Sequence, residues 1–361
     1  MDTKAERAID TVRVDQISET AFGYLSGAVV AGMIYLGDEL GIYRSLRGAG
    51  GLTSEDVAIR IGLHERWVRE WLRGQVAAGL LDYRGDGRYE LSDEAALVLA
   101  AEDNAASLIG SFSDLPEQLW VLKGVPESFR TGLGFTYDAG GDGVARSVER
   151  MLGPWNKTSL VRDALPKLED VVVRLESGAK VADVGCGAAV ATIAMAQVFS
   201  KSEFHGFDNS THALQRARAN IEAAGVTNTF VHNIDMNPMP TDQSFDFVTC
   251  LDCLHDMARP DLVAAAIRSA IKPDGLWFII DIESSANFEE NLANPLAPLM
   301  YGYSVMTCMA SSASTPDGLA LGTLGLPEPR MRELVTAAGF THFQRVSGLE
   351  HPFNAYYQVR P

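Results

Sequence analysis

The sequence predicts an α/β fold in two parts: a doubly wound, mostly parallel sheet of seven strands and, before it, an N-terminal all-α, winged-helix domain. From residue 180 onward, short apolar segments alternate with helical segments, which is typical of a parallel sheet covered on both faces. Before residue 100, apolar residues recur at helical spacing and lead into a helix, a turn, a second helix and a short hairpin.

Composition places the chain among ordinary globular proteins. Of its residues, 47% are hydrophobic and 21% are charged. Its length of 361 residues is sufficient for two domains. The net charge of -17 opposes nucleic-acid binding, because Lys and Arg supply most of the affinity for a phosphate backbone. No basic, apolar leader opens the chain, so we expect a cytoplasmic protein that does not enter a membrane, with residues 21–36 forming a buried helix. Its four cysteines are too few for a disulfide framework.

The N-terminal domain has the element order of a winged helix. A capping sequence at residues 53–56 starts one helix, a second spans about residues 64–78, and segments 80–83 and 88–91 flank a Gly-Asp-Gly turn. Arg66, Arg69 and Arg73 lie on the second helix, where a DNA-binding domain would place base contacts. Because acidic residues match the arginines in number between residues 53 and 84, we expect a dimerisation module rather than a DNA-binding one.

The rest of the chain divides into two further parts. We predict a winged-helix dimerisation domain at 1–100, a helical connector that contributes to the substrate pocket at 101–176, and a cofactor-binding domain at 177–361 with a cap insertion at 284–325. The predicted strands of the last domain are 180–184, 203–208, 229–233, 245–251, 275–283, 342–348 and 354–360. The final two are joined too closely for a helical crossover and should form an antiparallel hairpin.

Polar residues at the ends of three successive strands suggest a cofactor site. The first strand leads into Gly185-Cys186-Gly187, where glycines let the backbone approach a ligand. The second strand ends at Asp208, whose carboxylate is placed to accept hydrogen bonds from ribose hydroxyls, and Asp235 follows the third. A dinucleotide fingerprint would need Gly or Ala where Val190 stands. Asp183, just before the turn, is easier to explain beside a positively charged sulfonium cofactor.

These segments resemble the ordered motifs of class I S-adenosylmethionine-dependent methyltransferases. The resemblance rests on Asp183-Val-Gly-Cys-Gly187, Gly206-Phe-Asp208, Asp235, Phe245-Asp-Phe-Val, Leu254-His-Asp256 and Ile271-Lys-Pro-Asp-Gly275. With the winged helix, the chain resembles small-molecule O-methyltransferases of a bacterial and mycobacterial branch. It implies S-adenosyl-L-methionine as cofactor, a homodimer, and the following cofactor-binding residues: Asp183, Gly185, Cys186, Gly187, Asp208, Asn209, Asp235, Met236 and Asp252. One departure is Ala189, where the glycine-rich motif usually has a third glycine.

His255 is the candidate general base. It follows the fourth strand beside the expected methyl donor, and a neutral imidazole suits removal of a proton from a hydroxyl acceptor. In plant-type O-methyltransferases an acid at the end of the fifth strand orients such a histidine; the resemblance assigns this role to Asp281, with Glu283 as a near alternative. We expect transfer of a methyl group to a small organic molecule, most simply at a hydroxyl.

Several alternatives stay open. One alternative is methyl transfer to a sulfur, nitrogen or carbon atom, in which the enzyme positions the acceptor and needs no base. Another is a ligand-responsive regulator that binds DNA through its winged helix. Candidate pocket walls are Trp155, Tyr301 and Met306. A single C-x-x-C, Cys250 to Cys253, lacks the second ligand pair of a structural zinc site, so we expect no metal.

Overall fold

A computed structural model of the protein describes residues 9–113, 115–349 and 351–361. The chain divides into two units, one of residues 1–101 with 106–115 and one of residues 102–105 with 116–361. The domain boundaries predicted at residues 100 and 176 remain predictions.

The N-terminal unit is a winged helix, as predicted. Its helices are α1 (Thr11–Glu39), α2 (Ile42–Leu46), α3 (Ser54–Ile61), α4 (Glu65–Ala77) and α5 (Asp93–Leu99), with a 3-10 turn at Ile109–Phe112. Its strands are β1 (Leu52–Thr53), β2 (Asp82–Gly85) and β3 (Arg88–Glu90), which form an antiparallel sheet in the order β1-β3-β2. A capping box starts α3, because Thr53 and Asp56 each accept a hydrogen bond from the other's backbone amide.

Helix α1 corrects one expectation. Residues 21–36 were predicted to be buried, yet Phe22, Leu25 and Val29 are 70%, 60% and 63% exposed. Only the C-terminal part of α1 packs into the unit, where Trp71 Nε1 donates a hydrogen bond to the Met33 carbonyl at 2.8 Å. Helical periodicity shows that a face is apolar, but not what covers it. By length and composition alone α1 is also sufficient to cross a bilayer, a test that core helices of soluble proteins equally pass.

The C-terminal unit contains the predicted seven-stranded sheet. Its strands are β4 (Lys180–Val184), β5 (Glu203–Asp208), β6 (Thr229–Asn233), β7 (Phe245–Leu251), β8 (Ile271–Ile282), β9 (His342–Arg345) and β10 (Asn354–Arg360). Their order is β6-β5-β4-β7-β8-β10-β9, and β10 is antiparallel to both of its neighbours. Strand β8 begins earlier than predicted because its pairing with β7 shifts register between Phe245 and Phe247, and β9 ends three residues early.

Helices surround this sheet. They are α6 (Leu115–Trp120), α7 (Val125–Thr131), α8 (Gly141–Trp155), α9 (Val171–Ser177), α10 (Val190–Val198), α11 (Thr211–Ala224), α12 (Pro260–Ala270), α13 (Phe288–Asn291), α14 (Ala297–Tyr303), α15 (Met309–Ser312) and α16 (Glu328–Ala337). Short 3-10 turns lie at Val121–Lys123, Tyr137–Gly140, Leu165–Lys167 and Leu254–Asp256, and π-helical turns at Asn156–Ala164 and Ser304–Cys308.

Two apolar clusters cover the two faces of the sheet. Val181 of β4 packs into one cluster and the next residue, Ala182, into the other, because side chains alternate along a strand. Apolar side chains therefore cover both faces of the sheet, and the polar side chains of the candidate site lie near the ends of the strands. The parallel strands β4 to β8 end at one edge of the sheet, which is the edge where doubly wound folds bind ligands.

Candidate active site

A sharp turn follows β4. Gly185 and Gly187 both have left-handed backbone, with φ of 75° and 53°, which glycine adopts at no steric cost. A Cβ at Gly185 would lie 2.7 Å from Sγ of Cys253, whereas one at Gly187 would meet no atom within 4 Å. Packing therefore requires the first glycine, while the second leaves open space at the turn.

Ala189 occupies the position of the missing third glycine. It has a left-handed φ of 60° and is fully buried, directly before α10. A left-handed conformation costs an alanine roughly 1–2 kcal/mol. The chain thus keeps the path of the turn despite the departure from the glycine-rich motif.

Asp208 joins the ends of β4 and β5. Its Oδ2 accepts a hydrogen bond from the Gly187 amide and its Oδ1 one from the Ser210 amide, both at 2.8 Å. Burial raises the pKa of Asp208, although these amide bonds act in the opposite direction. A carboxylate oxygen has further lone pairs, so Asp208 can still accept hydrogen bonds from a ligand.

Asp183 lies below the turn and has an internal role. Its side chain is 2% exposed, and its two oxygens accept hydrogen bonds from Thr192 at 2.5 Å and Thr249 at 2.7 Å. Burial raises its pKa and the two hydroxyl groups lower it, with a net increase. Asp183 therefore ties α10 and β7 to β4, and it supports the turn from within the core.

The other predicted cofactor residues follow the strand ends. Asn209, Asp235 and Met236 are exposed, and Cys186 is half-buried. The Ile234 amide donates a 3.0 Å hydrogen bond to the Asp208 carbonyl, so the ends of β5 and β6 lie side by side.

Asp252 is unusual among these residues. It follows β7 with a left-handed φ of 59°, is half-buried, and its Oδ1 has no hydrogen-bond partner within the described chain. Burial, opposed by His255 and reinforced by the charge of Asp281, raises the pKa of Asp252 to about 6. It is an acceptor without a donor, as expected of a ligand-binding group.

His255 and Asp281 form a buried pair. Nδ1 of His255 lies 2.8 Å from Oδ1 of Asp281, and the two residues are 3% and 1% exposed. A carboxylate can only accept, so Nδ1 donates and Nε2 is left for other chemistry. Burial by itself lowers the pKa of His255, but the Asp281 carboxylate and the Cys308 thiol raise it, and the net value is well above the usual one.

Glu283 does not join this pair. It forms an ion pair with Arg345 at the half-exposed end of β8. The structure therefore separates the two acids that the sequence left open: Asp281 lies beside His255 and Glu283 does not.

The predicted pocket walls lie in different surroundings. The Trp155 ring lies 6.0 Å from that of Tyr356 at a tilt of 34° and packs against the core. Tyr301, 37% exposed, lies 6.2 Å from the Phe288 ring, and Met306 is half-buried on the π-helical turn.

A segment before α8, which sequence analysis did not single out, reaches the dyad. The Gly134 and Phe135 amides donate hydrogen bonds of 2.9 Å to the Ala313 and Ala310 carbonyls of the cap. A Cβ at Gly134 would lie 1.9 Å from the Ala310 carbonyl oxygen, so only glycine permits this approach. The segment is thereby fixed against the insertion after β8.

This contact brings Tyr137, Asp256 and Cys308 together next to His255. The Tyr137 hydroxyl donates to Cys308 Sγ at 3.9 Å and lies beside the carboxyl of Asp256. Burial, opposed by His255 and Tyr137, raises the pKa of Asp256 to about 7. No local motif predicts this cluster, because Tyr137 and Cys308 are 171 residues apart.

Comparison with known protein families identifies the two domains of the chain. Residues 175–314 match the model of a methyltransferase domain, and residues 28–101 match the Rv2258c-like winged HTH domain. The chain carries a class I methyltransferase domain behind a winged helix-turn-helix domain. The methyltransferase match contains the glycine turn, Asp208, the His255–Asp281 pair and Cys308. S-adenosylmethionine is the methyl donor of this class of domain.

Relatives and solved structures agree with this assignment. A stretch of 106 residues, 29% of this chain, is 32% identical to the ubiquinone biosynthesis O-methyltransferase of Photorhabdus laumondii subsp. laumondii and covers 43% of that protein. The Haemophilus ducreyi enzyme of the same name is 33% identical over 110 residues, 46% of its length. The chain thus spans less than half of these curated relatives.

Two solved structures have the same fold over nearly their whole length. One, described as an O-methyltransferase from Nostoc punctiforme, has a TM-score of 0.71 at 18% identity and covers 94% of this chain and 98% of its own. Human N-acetylserotonin methyltransferase in complex with S-adenosylmethionine has a TM-score of 0.68 at 17% identity, covering 99% of each chain. These likenesses establish the fold of both units.

The residues of the site fit a cationic adenosyl ligand. The turn at Gly187 leaves space where a Cβ would meet nothing. Asp208 offers acceptor atoms beside it, and Asp252 offers another at the end of the neighbouring strand β7. Within the described chain, neither carboxylate forms an ion pair with Lys or Arg. The negative charge is therefore left for a ligand that carries a positive one.

Proposed function

We propose that the protein transfers a methyl group from S-adenosyl-L-methionine to a hydroxyl group of a small organic molecule. The observation that carries the proposal is the buried His255–Asp281 pair, which lies at the same edge of the sheet as the glycine turn and Asp208. Methyl transfer is an in-line displacement, so holding the nucleophile and the methyl carbon about 3–3.5 Å apart supplies much of the acceleration.

The cofactor is held by the ends of β4, β5 and β6. In this proposal Asp208 accepts hydrogen bonds from ribose hydroxyls, Asp235 lies near the adenine, and Asp252 faces the positively charged end of the ligand. Asp183 supports the glycine turn without contacting the cofactor, because both of its oxygens accept hydrogen bonds from Thr192 and Thr249. Cys186, Asn209 and Met236 complete the rim of the pocket.

His255 removes the acceptor proton through Nε2 while Asp281 holds Nδ1. The raised pKa of His255 means that the unliganded imidazole tends to be protonated. A cation bound near His255 would lower the pKa of the imidazole by like-charge repulsion, so His255 would be the neutral base when a sulfonium ligand is bound. Trp155, Tyr301 and Met306 are kept as candidates for the acceptor pocket, with the identity of the acceptor open.

The winged-helix domain serves dimerisation in a cytoplasmic enzyme. Its support is the exposed apolar face of α1, which contains Phe22, Leu25 and Val29. A face of this kind is typical of a protein interface. The arginines of α4 favour this role over DNA binding, because Arg66 pairs with Glu70 and Arg69 with Glu65.

Calorimetry with S-adenosylmethionine and S-adenosylhomocysteine tests the cofactor, and release of the latter in the presence of a panel of phenols and alcohols tests the reaction. We expect binding of both nucleosides and turnover with at least one hydroxyl compound. If neither S-adenosylmethionine nor S-adenosylhomocysteine gives a heat of binding, the proposal is overturned.

A further inference from the structure

Three side chains with metal-binding donor atoms lie together beside the dyad. One ligand atom each of His255, Asp256 and Cys308 lies within 4.8 Å of the other two. His255 and Asp256 belong to the 3-10 turn after β7, and Cys308 ends the π-helical turn of the cap. His255 and Cys308 are 3% and 8% exposed, and Asp256 is half-buried, so solvent reaches the cluster from the side of Asp256.

We propose that His255, Asp256 and Cys308 form a binding site for a divalent transition metal of the zinc type. Imidazole nitrogen, carboxylate oxygen and thiolate sulfur are the donors that zinc takes from proteins. Three protein ligands also leave a fourth, open position in a tetrahedral site.

The distances are compatible with closure around an ion. Zinc bonds of about 2.0–2.3 Å in tetrahedral geometry place ligand atoms roughly 3.3–3.7 Å apart. The three donors lie within 4.8 Å of one another, so side-chain movements on the order of 1 Å bring them to those distances.

The outer contacts of the cluster are those that a metal site requires. Asp281 accepts the Nδ1 hydrogen of His255 at 2.8 Å, which leaves Nε2 as the ligand atom. The Tyr137 hydroxyl donates to Cys308 Sγ at 3.9 Å and lies beside the carboxyl of Asp256. Ligating histidines usually donate their second N–H to a carboxylate, and groups around the ligands orient them.

A second group, Asp252, His255 and Asp281, meets the same distance criterion. It offers free carboxylate oxygens, since Oδ2 of Asp281 and Oδ1 of Asp252 have no hydrogen-bond partner within the described chain, but it is the weaker candidate for a metal of the zinc type. It contains no sulfur, which is the donor that selects zinc over the abundant hard cations. The two groups share His255, so substitution of Cys308 distinguishes them.

Metal binding and methyl transfer would use the same atom. A metal at Nε2 of His255 prevents that nitrogen from accepting a proton, so the ion inhibits the reaction. This consequence rests on the proposed function, whereas the binding of the metal does not.

The test uses the full-length protein freed of metal with a chelator. Zinc affinity is measured by competition with a chromogenic chelator, and cobalt is added to a second sample to read its absorption spectrum. We expect one tightly bound zinc per chain, and a cobalt complex with tetrahedral d–d bands and a thiolate-to-cobalt charge-transfer band. Cys308→Ser should weaken zinc binding more than 10-fold and remove the charge-transfer band, and Asp281→Asn should weaken binding about 10- to 100-fold.

Cys253→Ser is the matched control. Cys253 is half-buried near the same turn, but its thiol donates to the Val184 carbonyl and lies outside the cluster. This variant should bind zinc as the wild type does. Equal affinity of the wild type and Cys308→Ser, or a cobalt spectrum without thiolate ligation, overturns the proposal. If zinc binds through Cys308 and methyl transfer continues at full rate, the metal site stands and the assignment of His255 as base falls.

Discussion

Nδ1 of His255 lies 2.8 Å from Oδ1 of Asp281, and this contact joins the end of β7 to the end of β8. The two strands are neighbours in the sheet, and the Asp281 carboxylate is also fixed by the amide of Ile282 at 2.8 Å. The orientation of the imidazole therefore follows from the strand register. An imidazole held in this way needs little reorganisation when a ligand binds beside it.

Replacement of His255 by Ala should reduce kcat for a hydroxyl acceptor by about 10²–10⁴-fold, the usual contribution of a general base. The affinity for S-adenosylmethionine should change little, because the proposed cofactor contacts of Asp208 and Asp235 lie at the ends of other strands. Initial rates and calorimetry measure the two effects. Retention of most activity would show that the acceptor needs no base.

Glu283→Gln is the control for this experiment. Glu283 is an acid two residues from Asp281, but it pairs with Arg345 rather than with His255. The variant should keep a kcat near that of the wild type, whereas Asp281→Asn should lower it. Equal losses in both would contradict the assignment of Asp281.

The strands could be predicted from the sequence because local signals specify them. Strands β4, β5, β6 and β7 are short segments that have a glycine or an acidic residue at their end or within two residues after it, and their bounds agree with the prediction. The pairing of His255 with an acid at the end of β8 was implied by the resemblance to plant-type O-methyltransferases rather than by these local signals. Whether that acid was Asp281 or Glu283 depended on the side-chain surroundings of β8.

The surroundings of the dyad could not be predicted because they depend on long-range contacts. Tyr137 reaches Cys308 only because Gly134 packs against the Ala310 carbonyl, and no spacing rule connects these segments. The exposure of Phe22 on α1 is a second case. A helical repeat specifies an apolar face equally well for a core and for a surface that another molecule covers.

Asp208→Asn should weaken cofactor binding about 10- to 100-fold, since hydrogen bonds to a charged group contribute roughly 1.5–3 kcal/mol. Calorimetry with S-adenosylhomocysteine measures the change. Asp274→Asn is the control, because Asp274 is exposed near the start of β8, where its partner is Arg174. An unchanged affinity in Asp208→Asn would remove Asp208 from the cofactor site.

Cofactor affinity should also fall as the pH is lowered. Burial raises the pKa of Asp208, so this carboxylate takes up a proton at a higher pH than an ordinary aspartate. The protonated form is the weaker acceptor for ribose hydroxyls, and affinity is therefore lost as the pH decreases through the raised pKa. In Asp208→Asn this part of the pH dependence should disappear. A dependence that persists unchanged would assign it to another group.

The two glycines of the turn should respond differently to alanine. Gly185→Ala brings a Cβ to 2.7 Å from Cys253 Sγ in addition to the left-handed strain, so the free energy of unfolding should fall by more than the roughly 1–2 kcal/mol of the strain alone. In Gly187→Ala the new Cβ meets no atom, so the free energy of unfolding should fall only by about the cost of the left-handed strain. Its methyl group should occupy space that we propose for the cofactor, so cofactor affinity should fall as well. Denaturant unfolding and calorimetry separate the effects. Equal destabilisation of both variants would contradict the packing argument.

The apolar face of α1 should carry the dimer. Phe22→Glu and Leu25→Glu change side chains that are 70% and 60% exposed, so in an isolated chain they should alter stability by less than about 0.5 kcal/mol. In a dimer the same changes place charge in an interface. Sedimentation at micromolar concentration should therefore give about twice the chain mass for the wild type and the monomer mass for the variants. Ile59→Glu, an equivalent change at an 83% exposed position on α3, should remain dimeric. A monomeric wild type would show that the α1 face does not bind a second copy of the chain.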